Sequence, residues 1–469
     1  MSSDASPRTQ IEALLSLISS STQAAMSEYE KTGHGIPTPN SSKSHPLDNE
    51  AGALALRRAI RTLEAACERL CTTLAQPMHT LHNRAMPYEA PCLKVVVEEG
   101  IADILESTAS NNAKGMHIDD IATKTKNKVD PEKLNQMMLL LSTRGCFQEV
   151  SKDVYANNRM SLQLLSSNPM SSTVALYSGE ILQGASMLPE ALVHPEYASS
   201  RAVNRSSFSY LIRNEMENAS YFDWVQSNPH SIKRFQLAMK GLSSSVGSSD
   251  AVVQVYPWKE LLKSSLASGK HSLTFCDVGS GPGAIALQLS KSHNKKFKVV
   301  LQDLPEPLEH AKTIWSVEHP GGDVQFVPVD FLKESPVPGQ DVYFLGYIIH
   351  DWPDSDAVTI LKNIASVMNS SSRLLLHDYV LQHLYRDQSS TESNVEMAPE
   401  PLLPNYGSGN VRAYNHSITM LALFNSRERT RDDFVALGRQ SGLILVKIWP
   451  LSETCLVEFR LASPRLAAL

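Results

Sequence analysis

At 469 residues the chain is long enough to bury more than one core, and two or three domains are expected. A formal charge of −6 and a 42% hydrophobic content fit a globular enzyme and speak against a polyanion-binding surface or a basic membrane patch. No apolar run approaches the roughly 20 residues a bilayer span needs, and no basic segment precedes the short apolar stretch from Ile11 to Ile18, so a cytoplasmic location is expected.

Residues 1–50 are rich in Ser, Thr, Pro and Asn and read as a disordered N-terminal tail, with a frayed helix near Ile11. A helix is predicted from about Asn49 to Gln76. Its residues Leu56, Ile60, Leu63, Cys67, Leu70 and Leu74 step by 4, 3, 4, 3 and 4, a heptad seam that suits either an intrachain core or a subunit contact. From Leu93 to Tyr155 three short helices precede a β-wing: Asp130 caps a helix with Pro131 at its first position, and Phe147 to Tyr155 alternates as a hairpin. This winged-helix pattern raises the alternative of a DNA-binding module. The recognition-helix position, Pro131 to Arg144, offers only Lys133 and Arg144 as cations and is dominated by Leu134, Met137, Met138, Leu139, Leu140 and Leu141. Buried packing accounts for it better, and no nucleic-acid partner is expected. Residues 51–165 are therefore taken as a helical and winged-helix domain, and 166–250 as a helical section containing Phe208 to Met216, Tyr221 to Gln226 and Ser231 to Met239.

From residue 251 onward strands and helices alternate, with strands predicted at Thr274 to Val278, Lys298 to Asp303, Val324 to Val327, Asp341 to Leu345, Arg373 to Asp378, Leu443 to Trp449 and Cys455 to Leu461. Such alternation specifies an α/β, Rossmann-like doubly wound domain over 251–469, its last strands forming an antiparallel edge. A Ser-, Pro- and Gly-rich loop over 382–416 reads as a substrate lid or a disordered insertion. The six cysteines, Cys67, Cys71, Cys92, Cys146, Cys276 and Cys455, show no metal-ligand spacing and are expected as buried free thiols; no metal site is expected.

The first strand of this domain ends in Asp277-Val278-Gly279-Ser280-Gly281-Pro282-Gly283, ahead of a helical run. Glycines at a strand-to-helix corner let backbone pass close to a nucleotide. The spacing is GxGxG, the corner carries Pro282 without an amide hydrogen, and it opens with a carboxylate, features that disfavour a pyrophosphate and suit a cationic nucleotide such as S-adenosylmethionine (SAM). A second acid, Asp303 followed by Leu304, ends the next strand at a spacing that serves ribose hydroxyls.

The segment Phe344-Leu345-Gly346-Tyr347-Ile348-Ile349-His350-Asp351-Trp352 resembles the strand and His-Asp-Trp signature of the plant caffeate-type and fungal secondary-metabolite O-methyltransferases. The resemblance runs from Leu93 to Phe459 and takes in Val329-Asp330-Phe331, Leu375-Leu376-His377-Asp378, and Arg427-Glu428-Arg429-Thr430. It implies SAM bound by Gly279, Ser280 and Gly281 at the amino-acid end, by Asp303 and Leu304 at the ribose, and by Asp330 and Phe331 at the adenine. It further implies His350 as general base flanked by Asp378 and Glu428, with Phe235 and Met239 beside a small hydroxylated acceptor, aromatic or polyketide-like. Homodimerisation through the N-terminal helices is implied too. Asp378 replaces the Glu usual in the plant enzymes, and Gly346 stands where the family often has Lys or Arg. Some members of the family bind SAM yet catalyse dehydration or pericyclic steps, which keeps a pericyclase or dehydratase as the alternative activity.

Overall fold

The computed structural model describes residues 6–49, 53–109, 115–246, 248–267, 269–293, 296–386 and 396–462. Strands are numbered β1 to β12 along the chain. The wing consists of β1 (Met116–His117), β2 (Gln148–Ser151) and β3 (Val154–Ala156), in the order β1-β3-β2 and antiparallel throughout. The large sheet comprises β4 (Leu273–Val278), β5 (Phe297–Asp303), β6 (Val324–Pro328), β7 (Val342–Gly346), β8 (Arg373–Asp378), β11 (Leu443–Pro450) and β12 (Cys455–Leu461). A separate parallel pair joins β9 (Val380–Leu381) to β10 (Arg429–Thr430).

The order across the large sheet is β11-β12-β8-β7-β4-β5-β6. Strands β6, β5, β4, β7 and β8 are mutually parallel, and β12 and β11 add the antiparallel edge. Side chains alternate across a strand, so Phe275, Val299, Leu301 and Phe344 join Trp258 and Trp315 on one face. Cys276, Val278, Val300, Tyr343 and Leu345 join Ile360, Leu361 and Phe434 on the other. Strands buried on both faces need apolar residues at consecutive positions, which β7 has throughout and β5 and β8 have in Val299-Val300-Leu301 and Leu374-Leu375-Leu376. The C-terminal ends of β4, β5, β7 and β8 carry Val278, Asp303, Gly346 and Asp378.

In the winged-helix segment the Pro131–Thr143 helix buries Leu134, Met138 and Leu141, and Arg144 at its end pairs with Glu89 at 3.0 Å. One of its two expected cations is thus engaged within the chain.

Three expectations need correction. Residues 7–30, expected within a disordered tail, form the 24-residue helix Pro7–Glu30. Ser6 caps it by accepting the Thr9 N–H, Pro7 fits its first turn, and Leu14 is buried against Ala65 and Ala66 of the Leu54–Leu74 helix. A Ser-rich composition hid a helix stabilised by tertiary packing. That same contact takes up part of the heptad seam, because Leu56 is buried with Ala25 while Cys67 and Leu74 are exposed. Cys67 and Cys71 are therefore exposed free thiols, and only Cys146, Cys276 and Cys455 are buried.

The 382–416 segment is neither a free lid nor an insertion over its described part. Ala398, Leu402 and Tyr406 pack with Leu14, Ala65 and Ala66, Arg61 lies over the Tyr406 ring at 3.8 Å, and from Val411 the chain is helical to Phe424. Gly409 sits so close to the Leu54–Leu74 helix that a Cβ there would collide with the Arg61 carbonyl oxygen. Gly409→Val is expected to cost about 1–3 kcal/mol by overpacking, read as a lowered melting temperature with the N-terminal helices more open to proteolysis.

Candidate active site

The chain turns from β4 into the Ala284–Ser292 helix through Gly279, Gly281 and Gly283, with φ of +72°, +50° and +70°. These left-handed conformations cost a side chain 1–2 kcal/mol or so each. At Gly279 a Cβ would also lie 2.6 Å from Ile348 and 3.3 Å from Phe331, whereas beside Gly281 there is open space. The corner is thus a cradle walled by Ile348 and Phe331. Phe331 in turn meets Trp352 edge-on, ring centroids 5.9 Å apart.

Asp303 closes this cradle. Its carboxylate accepts the Gly281 N–H at 2.8 Å and the Leu304 N–H at 2.7 Å, so the glycine corner and the ribose-position acid are physically joined. Ser280 stays in the turn, its N–H donating to the Gln302 carbonyl at 3.2 Å. Burial raises Asp303, opposed by these two backbone bonds. Asp277, on the adjacent strand β4 opposite Leu301, is held up to about 8 by burial and by Asp303. A buried acid with a half-buried one near it favours a cationic ligand. Asp330 has a different setting: its carboxylate takes Lys333 at 2.7 Å and the Leu332 N–H at 3.2 Å, and Lys333 holds it low.

Beyond β7 the backbone makes a sharp corner at Tyr347, φ +57°, and enters the 3-10 turn Ile349–Asp351. His350 on that turn is buried. Its Nδ1 lies 2.7 Å from Glu428 Oε1 and 3.4 Å from Asp378 Oδ1, and its Nε2 lies 3.6 Å from Asp351. The three residues singled out from sequence are thus brought together although 78 positions separate His350 from Glu428. The β9–β10 pairing does this, by laying the strand after Glu428 beside the one after Asp378.

Burial alone pushes His350 down, but Glu428, Asp378 and Asp351 outweigh it and hold the imidazole up, at about 10. Glu428 is held well below the carboxylate range, against burial, by His350 and His416. Asp378 goes the other way: burial raises it, and neither of its oxygens has a hydrogen-bond partner among the described residues. The two donors therefore favour the ionised form at Glu428, whereas burial favours the protonated form at Asp378. His377, next to Asp378, bonds Thr454 at 2.9 Å inside β8 and is pushed down to about 3 by burial, which removes it as a rival base.

Two residues of this wall escaped the sequence reading. Arg429 is 1% exposed, and its guanidinium donates to the Ile349 carbonyl at 2.6 Å, the Trp352 carbonyl at 2.7 Å and Asp354 at 2.8 Å, clamping the turn that carries His350. Its place beside Glu428 in the Arg427-to-Thr430 motif was the available signal. His416, on the Val411–Phe424 helix, places Nδ1 2.8 Å from the same Glu428 oxygen that His350 uses, and nothing in the sequence pointed to it.

Phe235 and Met239 lie on the Pro229–Val246 helix, in a cluster with Tyr221, Phe222 and Phe424. Phe235 meets Phe222 edge-on at 6.2 Å, and Phe222 stacks at 6.5 Å on Trp352. The cluster thereby abuts the His350 turn. Gly346 has a packing reason, since a Cβ there would lie 2.9 Å from the Phe344 ring.

Residues 253–443 match the family profile of the O-methyltransferase domain. Over 456 residues the chain is 37% identical to 3-O-methyltransferase 2 of Phanerochaete chrysosporium, covering 96% of this chain and 97% of that protein. The chain belongs to the O-methyltransferase family. The fold of this O-methyltransferase is similar to that of OxaC, solved with SAH and oxaline, at 19% identity and a TM-score of 0.68 over 96% of this chain and 100% of that one. It is also similar to a pericyclic reaction enzyme, at 19% identity and a TM-score of 0.68 over 89% of this chain and 98% of that one. Its cofactor is S-adenosylmethionine, and the cradle fits it: a glycine corner that has no room for a side chain at Gly279 or Gly283 but is open at Gly281, beside the buried Asp277 and the half-buried Asp303. No described helix is long and apolar enough to cross a membrane.

The Arg429 clamp is testable by denaturation. Arg429→Leu leaves the Trp352 carbonyl unpaired and the Ile349 carbonyl with only the Trp352 N–H at 3.3 Å, at about 1–3 kcal/mol for a buried group left unsatisfied. Arg429→Lys, which lacks the planar fork, should recover only part of that stability.

Proposed function

We propose that this O-methyltransferase transfers the methyl group of SAM to a phenolic hydroxyl of an aromatic or polyketide-like small molecule, with His350 as general base. One observation carries the reading. Nδ1 of His350 is committed to Glu428, so Nε2 is the nitrogen left to take a proton. A phenol has a pKa of about 10, and His350 is held up at about 10, so a proton passes between them with little free-energy change. Glu428 orients the ring and balances its charge without accepting the substrate proton, with Asp378 3.4 Å away on the same side of the imidazole.

When bound, SAM supplies an electrophilic methyl group on a sulfonium that leaves as a neutral thioether. Gly279, Ser280 and Gly281 would hold its amino-acid end, Asp303 and Leu304 its ribose, and Asp330 with Phe331 its adenine. Phe235 and Met239 grip the acceptor through the aromatic cluster that touches Trp352. His350 Nε2 would take the hydroxyl proton as the oxygen attacks, next to the stacked Phe222, Phe424 and Trp352 rings.

We further read the protein as a cytoplasmic homodimer that does not bind nucleic acid. Exposed free thiols at Cys67 and Cys71 suit a reducing compartment. Leu74, Met78, Leu81 and Tyr88 are all more than 60% exposed, an apolar surface that a second subunit would cover. Leu81→Glu should shift light scattering toward monomer; a wild type that is already monomeric would refute the dimer.

The decisive assay mixes purified protein with labelled SAM and a panel of hydroxylated aromatics. A product heavier by one methyl supports transfer, whereas isomerisation or water loss without SAM consumption supports the pericyclase or dehydratase reading, which the missing basic residue at Gly346 keeps open. His350→Ala should lower kcat by roughly 10²- to 10⁴-fold with SAM affinity within a few-fold, while Asp303→Ala should abolish most SAM binding in calorimetry. Because His350 binds its proton tightly, the base form is the minority at neutral pH and grows with pH. The rate should therefore rise about tenfold per unit between about pH 6 and pH 9. Glu428→Gln removes the charge that raises His350, so its rise should level off at lower pH.

A further inference from the structure

His416 has no part in the reading above, yet it is built into the same junction. It is buried, its ring centroid lies 5.2 Å from that of His350 at 30° from parallel, and Tyr379 flanks it at 5.1 Å. Its Nδ1 is 2.8 Å from Glu428 Oε1, the oxygen that lies 2.7 Å from His350 Nδ1. The other oxygen, Oε2, has no partner among the described residues, so both imidazoles converge on one atom of a carboxylate that offers two. An ionised carboxylate has no proton to give, which makes His416 a donor through Nδ1–H.

Burial pushes His416 below its usual value and the charge on His350 adds to this, against the pull of Glu428, so His416 donates as a neutral ring. The titratable and charged groups facing this junction include Asp351 beside His350, Asp378, His377 and Tyr379 at the end of β8, Arg429 acting on Asp378, Tyr347 with its ring 5.9 Å from that of His350, and Tyr177, whose hydroxyl feels Glu428; Tyr347, Arg412 and Glu453 act on Tyr379. A hydrogen bond from His416 spreads the Glu428 charge over two donors.

We propose that His416 is a positioning residue: by sharing Glu428 Oε1 it fixes that carboxylate against Nδ1 of His350 and draws off part of the charge that would otherwise bind a proton to the catalytic ring. The proposal rests on the reading of His350 as general base. Without His416, Glu428 acts on His350 alone, the imidazolium is stabilised, and less neutral base is present at any given pH. A hydrogen bond to a charged group carries enough free energy to move a titration by about one pH unit.

The test uses the full-length protein and three variants. His416→Phe keeps the ring packing and removes the donor, His416→Gln keeps a donor, and His350→Ala assigns the His350 signal. Histidine labelled at Cε1 with carbon-13 gives the His350 titration by NMR, independently of activity, and initial rates between about pH 6 and pH 9 give the kinetic profile. In His416→Phe the His350 midpoint should move up by about one unit, and kcat should fall about tenfold at every pH with an unchanged slope and with KM for SAM within twofold. His416→Gln should restore both to near wild type. An unmoved His350 titration in a folded His416→Phe, or a Gln variant as impaired as the Phe variant in both readouts, would overturn the proposal. A shifted titration with an unchanged rate would uphold the positioning of His350 by His416 and overturn the assignment of His350 as the base.

Discussion

Everything at the candidate site depends on how two consecutive residues, Glu428 and Arg429, grip one turn from opposite directions. Glu428 holds the His350 ring by its Nδ1, and Arg429 holds the carbonyls of Ile349 and Trp352 on either side. A carboxylate and a guanidinium buried next to each other would each be costly alone. Apart from the Glu428 bond to His416, their strong bonds end on the turn between β7 and the following helix or on that helix's first residue, Asp354, so ring and backbone are fixed together. The orientation of a base is a matter of tenths of an ångström, and a clamp on side chain and main chain at once is how a short 3-10 turn achieves it.

The same junction sets the charge pattern. Glu428 has two imidazole donors and stays ionised, while Asp378, equally buried, has no hydrogen-bond partner among the described residues and is raised. Two carboxylates beside one imidazole would otherwise resemble each other. Their separation in proton affinity comes from which of them the donors reach, and the shorter Asp side chain at 378 stops 3.4 Å from His350 Nδ1, outside good hydrogen-bond range. On the cofactor side the logic is parallel: Asp303 is tied down by two backbone N–H groups, and Asp277 beside it is left to burial.

The N-terminal helices matter to this picture because of where the chain returns to them. Between β9 and the Val411–Phe424 helix, the described part of the segment crosses back to pack Tyr406 under Arg61, and the helix that follows carries His416 to Glu428. The segment leading to the helix that bears this imidazole is thereby anchored on the Pro7–Glu30 and Leu54–Leu74 helices. A segment that composition alone assigns to tail and loop is part of the scaffold.

What the sequence determined by itself was local or periodic. Alternating strands and helices after residue 251, the apolar runs of β4, β5, β7 and β8, the glycine corner and the acid after β5 were all legible, because each follows from short-range sterics and two-residue periodicity. The grouping of His350, Asp378 and Glu428 was legible through motif resemblance, and their distances were not. Tertiary structure alone decided three things. The Pro7–Glu30 helix is stabilised by burying Leu14 on the Leu54–Leu74 helix, a contact that its polar composition does not announce. Cys67 and Cys71 are exposed because the first helix takes only part of the heptad seam. His416 and Arg429 join the site because β9 and β10 pair across dozens of residues, and pairing at that range leaves no trace in either segment read alone.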